Sequence, residues 1–111
     1  MLPENITAIL ARNERWSGAA ASEPYEAGWA REAVIFVRAL KPPNGPQPRL
    51  RAEMSPDGMR WLPEGTEAAM PSEKDGVAML RIRRFGNWLR VAADFAEGAE
   101  ATVLVSVHLK A

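Results

Sequence analysis

The chain alternates apolar and polar side chains over several short segments, most clearly near its end. In the segment 102–110, four apolar residues fall on one face and four polar residues on the other: Val103, Val105, Val107 and Leu109 against Thr102, Ser106, His108 and Lys110. A period of two with β-branched residues predicts a strand with one buried face. The segments 49–54, 78–83 and 89–95 alternate in the same way. The segment 33–40 is almost continuously apolar, which predicts a central strand covered on both faces.

Turn-forming residues separate these segments. Proline, glycine, asparagine and aspartate cluster at residues 42–46, 55–58, 63–65, 75–76, 85–87 and 97–98. Short strands bounded by such turns predict an all-β fold, an antiparallel sandwich of jelly-roll type with about seven or eight strands. We expect one domain over residues 1–111, with residues 1–15 as an irregular N-terminal arm. Residues 17–30 are predicted to be irregular or a short edge strand, and residues 66–74 a loop.

Length, charge and cysteine content exclude several classes of function. The 111 residues suffice for one domain. Fourteen basic and fourteen acidic residues cancel, so we expect neither nucleic acid nor an anionic membrane as a partner. The chain has no cysteine, which removes disulfides and thiolate chemistry and leaves the compartment open. The N-terminus does not resemble a secretory signal, and no apolar run reaches the roughly 18 residues that span a bilayer.

Few residues could perform catalysis or hold a cofactor. His108 is the single histidine, and no Gly-x-Ser-x-Gly elbow accompanies it. No glycine-rich loop followed by lysine is present to bind a nucleotide phosphate. Histidine and cysteine clusters that hold transition metals are also missing. We therefore expect no enzyme activity, no cofactor and no metal, and we interpret His108 as a surface or interface residue.

Arginines gather in three of the predicted strands. They are Arg49, Arg51, Arg81, Arg83, Arg84 and Arg90. If these strands are neighbours, several guanidinium groups share one face, which favours anion binding or subunit contact. The alternative is a solvated outer face, with the arginines paired locally to Glu53 and Asp94. Arg81, Arg83 and Arg90 are the candidate interface residues of this group.

Four tryptophans are many for a chain of this length. Trp16 and Trp29 flank a stretch rich in alanine, serine and glycine, so contact with another subunit is a candidate role for both. Trp61 and Trp88 are candidates for core or rim packing, or for stacking on a ligand with Asp57 nearby.

The stretch Ser55-Pro56-Asp57-Gly58-Met59-Arg60-Trp61 resembles the hairpin of discoidin-like and other galactose-binding-like modules. That resemblance implies a jelly-roll-like sandwich with an inward tryptophan after the turn. The final strand, the segment 85–91 and the N-terminal arm resemble small jelly-roll virion proteins more loosely. These include decoration (cement) and tail accessory proteins of bacteriophages. This second resemblance implies a subunit of a larger particle.

Two hypotheses of function follow, and a third is weaker. The first is a non-enzymatic structural subunit, of virion decoration or accessory type, that binds other protein subunits, copies of itself included. The second is a carbohydrate-binding module in which Trp61 or Trp88 stacks on a sugar and Asp57 or Arg90 bonds its hydroxyls. The third is a small cupin-like enzyme. Cupins that bind a metal use several histidines as ligands, and this chain has one.

Overall fold

A computed structural model describes residues 5–83 and 85–111 and contains nine strands in that part of the chain. They are β1 (Asn5–Ser17), β2 (Ala19–Ala21), β3 (Tyr25–Glu26), β4 (Glu32–Ala39), β5 (Arg49–Ser55), β6 (Leu62–Ala69), β7 (Val77–Ile82), β8 (Trp88–Asp94) and β9 (Glu100–Lys110). The segments predicted from alternation correspond to β5, β7, β8 and β9, and the continuous apolar segment to β4. These residues form no helix, and so none that could cross a membrane.

The strands form two antiparallel sheets packed against each other. Sheet A has the order β1-β9-β4-β7, and sheet B has the order β2-β8-β5-β6. The short strand β3 also pairs with β8, so β2 and β3 occupy the same edge of sheet B at successive positions. All pairings are antiparallel. The predicted all-β sandwich is therefore confirmed.

The core lies between the two sheets and follows the alternation of the sequence. In β9 the inward side chains are fully buried, and so are their counterparts in β8: Val103, Val105, Val107 and Leu109, with Leu89, Val91 and Ala93. Burial of a valine or leucine side chain contributes about 1.5–3 kcal/mol to stability. The apolar side chains of both sheets form one cluster, which fixes the two sheets face to face.

The N-terminal arm predicted for residues 1–15 is wrong for the residues that the structure describes. Residues 5–15 belong to β1, which pairs with β9 from Asn5 opposite Lys110 to Ser17 opposite Glu100. Residues 1–4 lie outside the described residues. The register shifts twice within β1, and Asn13 has a φ of 53°. Because these bulges interrupt the alternation of side chains, the strand had no regular pattern in the sequence.

The loop predicted for residues 66–74 is wrong over its first half. Residues 66–69 end strand β6, which pairs with β5. A register shift separates the pair Arg51–Glu67 from the pair Glu53–Pro63, and Gly65 lies within it at a φ of 115°. The strand tolerates Pro63 because β6 is an edge strand, where a missing N–H costs no ladder bond.

Candidate functional site

Three loops meet at one end of the sandwich, which we call the loop end. They comprise residues 27–31, 56–61 and 83–87, of which residue 84 is outside the described residues. The Asn87 backbone carbonyl accepts a hydrogen bond from the Ala27 N–H, and the Asn87 side-chain amide donates to the Pro56 carbonyl at 3.4 Å. These bonds bring Trp29, Trp61 and Trp88 to the same end of the molecule. Asn87 was not singled out in the sequence, where it appeared only as a turn residue.

The turn after β5 is held by side chains that bond its own backbone. The Ser55 hydroxyl oxygen accepts bonds from the N–H groups of Asp57 and Gly58, at 3.2 and 2.8 Å. The Asp57 carboxylate accepts bonds from the N–H groups of Met59 and Arg60, at 2.9 and 3.0 Å. Gly58 has a φ of 80°, and a Cβ there would lie 3.3 Å from the Trp88 indole. The turn therefore packs closely on Trp88.

Acid is expected to destabilise this turn. The backbone bonds from Arg60 and Met59, with the Ser55 hydroxyl, lower the pKa of Asp57 below its usual value. A group whose folded-state pKa is lowered stabilises the fold above its unfolded-state pKa, and that contribution is lost as pH falls through the folded-state pKa. The pKa values of Asp75 and Glu100 are lowered as well, by Arg38 and Arg15. The free energy of unfolding should therefore decrease below about pH 4.

Asp57→Asn tests the part that Asp57 plays. The amide oxygen can accept the same backbone bonds but does not titrate, so the variant should lose less stability between about pH 5 and about pH 2 than the parent protein. Urea unfolding across this pH range measures the difference. Equal slopes for the two proteins would show that Asp57 contributes nothing to the acid sensitivity.

The outer face of sheet B has a ladder of ion pairs along β5 and β8. Glu53, only 7% exposed, accepts bonds from Arg51 at 3.0 Å and from Arg90 at 2.7 Å. Arg51 also donates to Asp94 at 2.7 Å. The bond to Glu53 raises the pKa of Arg51 further above its usual value. Both guanidinium groups are thus neutralised within the chain, which corresponds to the solvated-face alternative for these arginines.

Trp61 lies over this ladder rather than in the core. The guanidinium carbon of Arg90 is 4.3 Å from the centre of the Trp61 ring, a cation–π contact. The inward tryptophan that the galactose-binding-like resemblance implied is therefore wrong for Trp61, because its partner Arg90 points out of the sandwich. The turn held by Asp57 nevertheless packs on Trp88, and Trp61 contacts Arg90, two residues further along β8, so the ligand-binding hypothesis stays a prediction.

An apolar cavity of about 540 Å³ lies beside the turn. Its lining residues are Met54, Ser55, Pro56, Leu62, Phe85 and Gly86. Because most of these side chains are hydrophobic, the cavity suits an apolar side chain better than a polar ligand.

The predicted common arginine face is divided between the two sheets. Arg90 belongs to β8 in sheet B, whereas Arg81 belongs to β7 in sheet A, with Arg83 just after it. Of the three strands that carry these arginines, only β5 and β8 are neighbours, so only their arginines can share one face. Arg84 is outside the described residues.

Trp16 is not available as the interface anchor that we predicted. Its side chain is 2% exposed and belongs to the core cluster, opposite Ala101 in the neighbouring strand. The small alanine leaves room for the indole between the sheets. Trp29, in contrast, is 39% exposed in the loop before β4 and stays a candidate anchor.

The outer face of sheet A is apolar over its middle, and we call this area the apolar face. Its members are Ile9, Val34, Phe36, Val77, Met79 and Leu104. Phe36 lies between Met79 and Ser106 in the register, so the residues are contiguous across the sheet. Met79 is 44% and Val77 57% exposed. Val34 and Phe36 are only half-buried, so the prediction that β4 is covered on both faces is wrong for this chain alone.

His108 lies at the margin of the apolar face. Its Nδ1 is 3.1 Å from the Thr7 hydroxyl, and its Nε2 is 3.3 Å from the Ser106 hydroxyl. The imidazole meets the Phe36 ring edge-on, with 5.1 Å between the ring centres. Among the residues that the structure describes, no three acidic, histidine or cysteine side chains are grouped to hold a metal ion.

A basic group borders the apolar face at the loop end. Arg81, Arg83 and Lys110 line a cavity of about 250 Å³ together with Glu32. Within residues 5–83 and 85–111, none of the three basic side chains forms an ion pair. These positive charges are therefore available to a partner of sheet A.

Comparison with known proteins gives a likeness of fold. No family model and no curated protein matches the chain. The crystal structure of the SPBc2 prophage-derived protein YomS is similar, with a TM-score of 0.65 at 8% identity, over 100% of this chain and 96% of that one. The crystal structure of FLHE reaches a TM-score of only 0.36 at 16% identity, over 97% and 94% of the two chains, and supports no conclusion. The chain thus shares its sandwich with a prophage-derived protein.

Proposed function

We propose that this protein is a non-enzymatic structural subunit of a phage-type particle, a decoration or accessory protein that binds neighbouring protein subunits through the apolar face. The observation that supports this most is the set of exposed and half-buried aliphatic, methionine and aromatic side chains on the outer face of sheet A. Proteins that function alone rarely leave such contiguous apolar surface in water. Methionine and phenylalanine are also enriched at protein interfaces.

The size of sheet A suits a protein interface. Four strands about 4.8 Å apart give a width of about 19 Å, and the strand lengths of 13, 11, 8 and 6 residues correspond to a mean of about 31 Å. The product, about 600 Å² on each partner and about 1,200 Å² in total, lies at the lower end of the range for a stable complex of standard size. The sheet can therefore form a specific contact without help from the loops.

The strand order supports the particle assignment at the level of fold. If β2 and β3 are taken as one interrupted strand, eight strands pass between the two sheets in the orders 1-8-3-6 and 2-7-4-5. This order supports the jelly-roll arrangement that we propose, an architecture common in viral capsid proteins. The likeness to a prophage-derived protein points the same way. Because one fold serves many functions, the proposal depends on the apolar face and not on the fold.

Carbohydrate binding has less support from the same structure. One oxygen of the Asp57 carboxylate, Oδ1, already accepts bonds from backbone N–H groups, and Arg90 is bound to Glu53. The protein itself therefore already uses part of the hydrogen-bonding capacity of both side chains. The cavity beside the turn is mostly apolar and offers few groups that could bond hydroxyls.

Photo-cross-linking in the source cells tests the proposal. A photoreactive benzoylphenylalanine at Phe36 should cross-link to a structural subunit of the particle, identified by mass spectrometry. The same amino acid at Glu67, exposed on the outer face of sheet B, is the control and should give no such product. If position 36 gives no more product than position 67, or cross-links only to soluble enzymes, the proposed function is wrong.

A further inference from the structure

We infer that a second copy of this chain covers the apolar face, packed sheet against sheet across a two-fold axis that makes facing strands run in opposite directions. This inference rests on the proposed function, since it names one of the neighbouring subunits. It goes further, because it specifies a symmetric contact and the residues that meet in it. In such a symmetric contact, each interaction between the two copies occurs two times.

The charges of sheet A complement each other in this arrangement. Strand β9 begins with Glu100 and ends with Lys110. Because the two positions differ by an even number, both side chains lie on the same face, which is the outer one since the intervening odd-numbered positions are buried. When β9 faces β9 in the opposite direction, each Lys110 meets the partner's Glu100. The charges at the two ends of β9 are therefore complementary to those of a second β9 that runs in the opposite direction.

The other central strand repeats this pattern. Strand β4 has Glu32 at the loop end and Arg38 near the other end, again an even number of residues apart. With the two-fold axis at Phe36, each Glu32 lies within two residues along the strand of the Arg38 of the other copy, just as each Lys110 does of Glu100. In the edge strand β7, Asp75 precedes the strand and Arg83 follows it, so these two also meet. Three strands thus give the same orientation of the partner.

The alternative orientation, with facing strands running in the same direction, is less favourable. It would place the basic group of Arg81, Arg83 and Lys110 over the same group of the second copy, with only Glu32 to offset it. Like charges at close range disfavour such a contact. Because the net charge of the chain is zero, no overall electrostatic repulsion opposes the association of two copies.

Existing ion pairs do not prevent the proposed contact. Glu100 is bonded to Arg15, and Asp75 to Arg38 at 2.8 Å. Both pairs are substantially solvent-exposed, and exposed pairs of this kind contribute little and can be shared or exchanged. The apolar residues supply the attraction, with Met79 and Phe36 near the middle of the face, where the two-fold axis would pass.

Sedimentation equilibrium of the purified full chain tests this inference. We expect a dimer with a dissociation constant in the micromolar range. Met79→Asp should raise this constant roughly 100-fold or more, because a charge would be buried at the centre of the interface. Met59→Asp is the matched control: Met59 is 78% exposed in the loop-end turn, and its replacement should leave the dimer unchanged. Circular dichroism confirms that both variants keep the sheet structure.

A charge exchange tests the direction of the facing strands. Lys110→Glu alone should weaken the dimer about tenfold, since two contacts become repulsive. Combining it with Glu100→Lys should restore most of the lost affinity. Recovery of the dimer affinity supports facing strands that run in opposite directions. A double variant that dimerises more weakly than the single variant overturns this arrangement.

The remaining outcomes are also decisive. A chain that stays monomeric at about 100 μM, or a dimer that tolerates Met79→Asp, overturns the second copy as the occupant. The cross-linking experiment would still succeed in that case if the apolar face binds a different particle subunit. The two proposals therefore fail separately.

Discussion

Replacing Trp16 with alanine is expected to lower the free energy of unfolding by about 3–5 kcal/mol. The indole is 2% exposed and packs in the core near the end of β1, so the substitution leaves a large cavity between the sheets. A chain of this size has a total stability of about 5–15 kcal/mol, and its midpoint temperature should fall by about 12 °C or more. Thermal unfolding followed by circular dichroism measures the loss.

Trp16→Phe is the control for this substitution. Among the described residues the indole N–H has no hydrogen-bond partner, so phenylalanine sacrifices no polar contact and keeps much of the volume. We expect a loss of less than about 1.5 kcal/mol. If Trp16→Ala also costs less than this, then Trp16 is not a core residue, and the original assignment of Trp16 to an interface would be favoured again.

Replacing Glu53 with alanine is expected to cost about 2–3 kcal/mol. The nearly buried carboxylate holds both Arg51 and Arg90, and its removal leaves two guanidinium groups close together without their shared anion. The contact of Arg90 with Trp61 should loosen as well. Because both arginines retain some contact with water, the loss should stay below that of a fully buried ion pair. Urea unfolding and near-ultraviolet circular dichroism measure the two effects.

Glu67→Ala is the matched control on the neighbouring strand. Glu67 also pairs with an arginine, Arg49 at 3.0 Å, but both side chains are exposed. Its loss should cost less than about 1 kcal/mol. Equal effects at the two positions would show that the ladder on sheet B has no buried centre.

The regular strands could be predicted from the sequence because the inward position of each is apolar at every second residue. In β9 burial alternates over all eleven residues, although Leu104 is an apolar residue on the outer face. Strands β1 and β6 escaped prediction because bulges shift their register, so buried residues such as Leu10 and Ala11 become consecutive. A pattern of strict alternation cannot detect such strands.

The candidate sites were less accessible to sequence analysis, because they depend on which strands are neighbours. Asp57, Trp61 and Trp88 are close in sequence or in adjacent elements; the turn of Asp57 packs on Trp88, and Trp61 contacts Arg90 of the same strand β8. The arginine face failed because β7 belongs to the other sheet. The apolar face was visible in advance only as the unbroken apolar run of β4, whose outward residues Val34 and Phe36 have no cover within the chain.

Oxidation of methionines by dilute peroxide, followed by mass spectrometry, tests most directly whether the apolar face is covered by protein. Met59 and Met79 are both exposed in the monomer, which is obtained by dilution well below the dissociation constant of the dimer, and they serve as mutual references within one molecule. On assembly, sulfoxide formation at Met79 should slow at least about fivefold while Met59 reacts as before, because only Met79 lies in the covered face. If the two methionines oxidise at an unchanged ratio in the dilute monomer and in the assembled protein, the apolar face is not a binding surface.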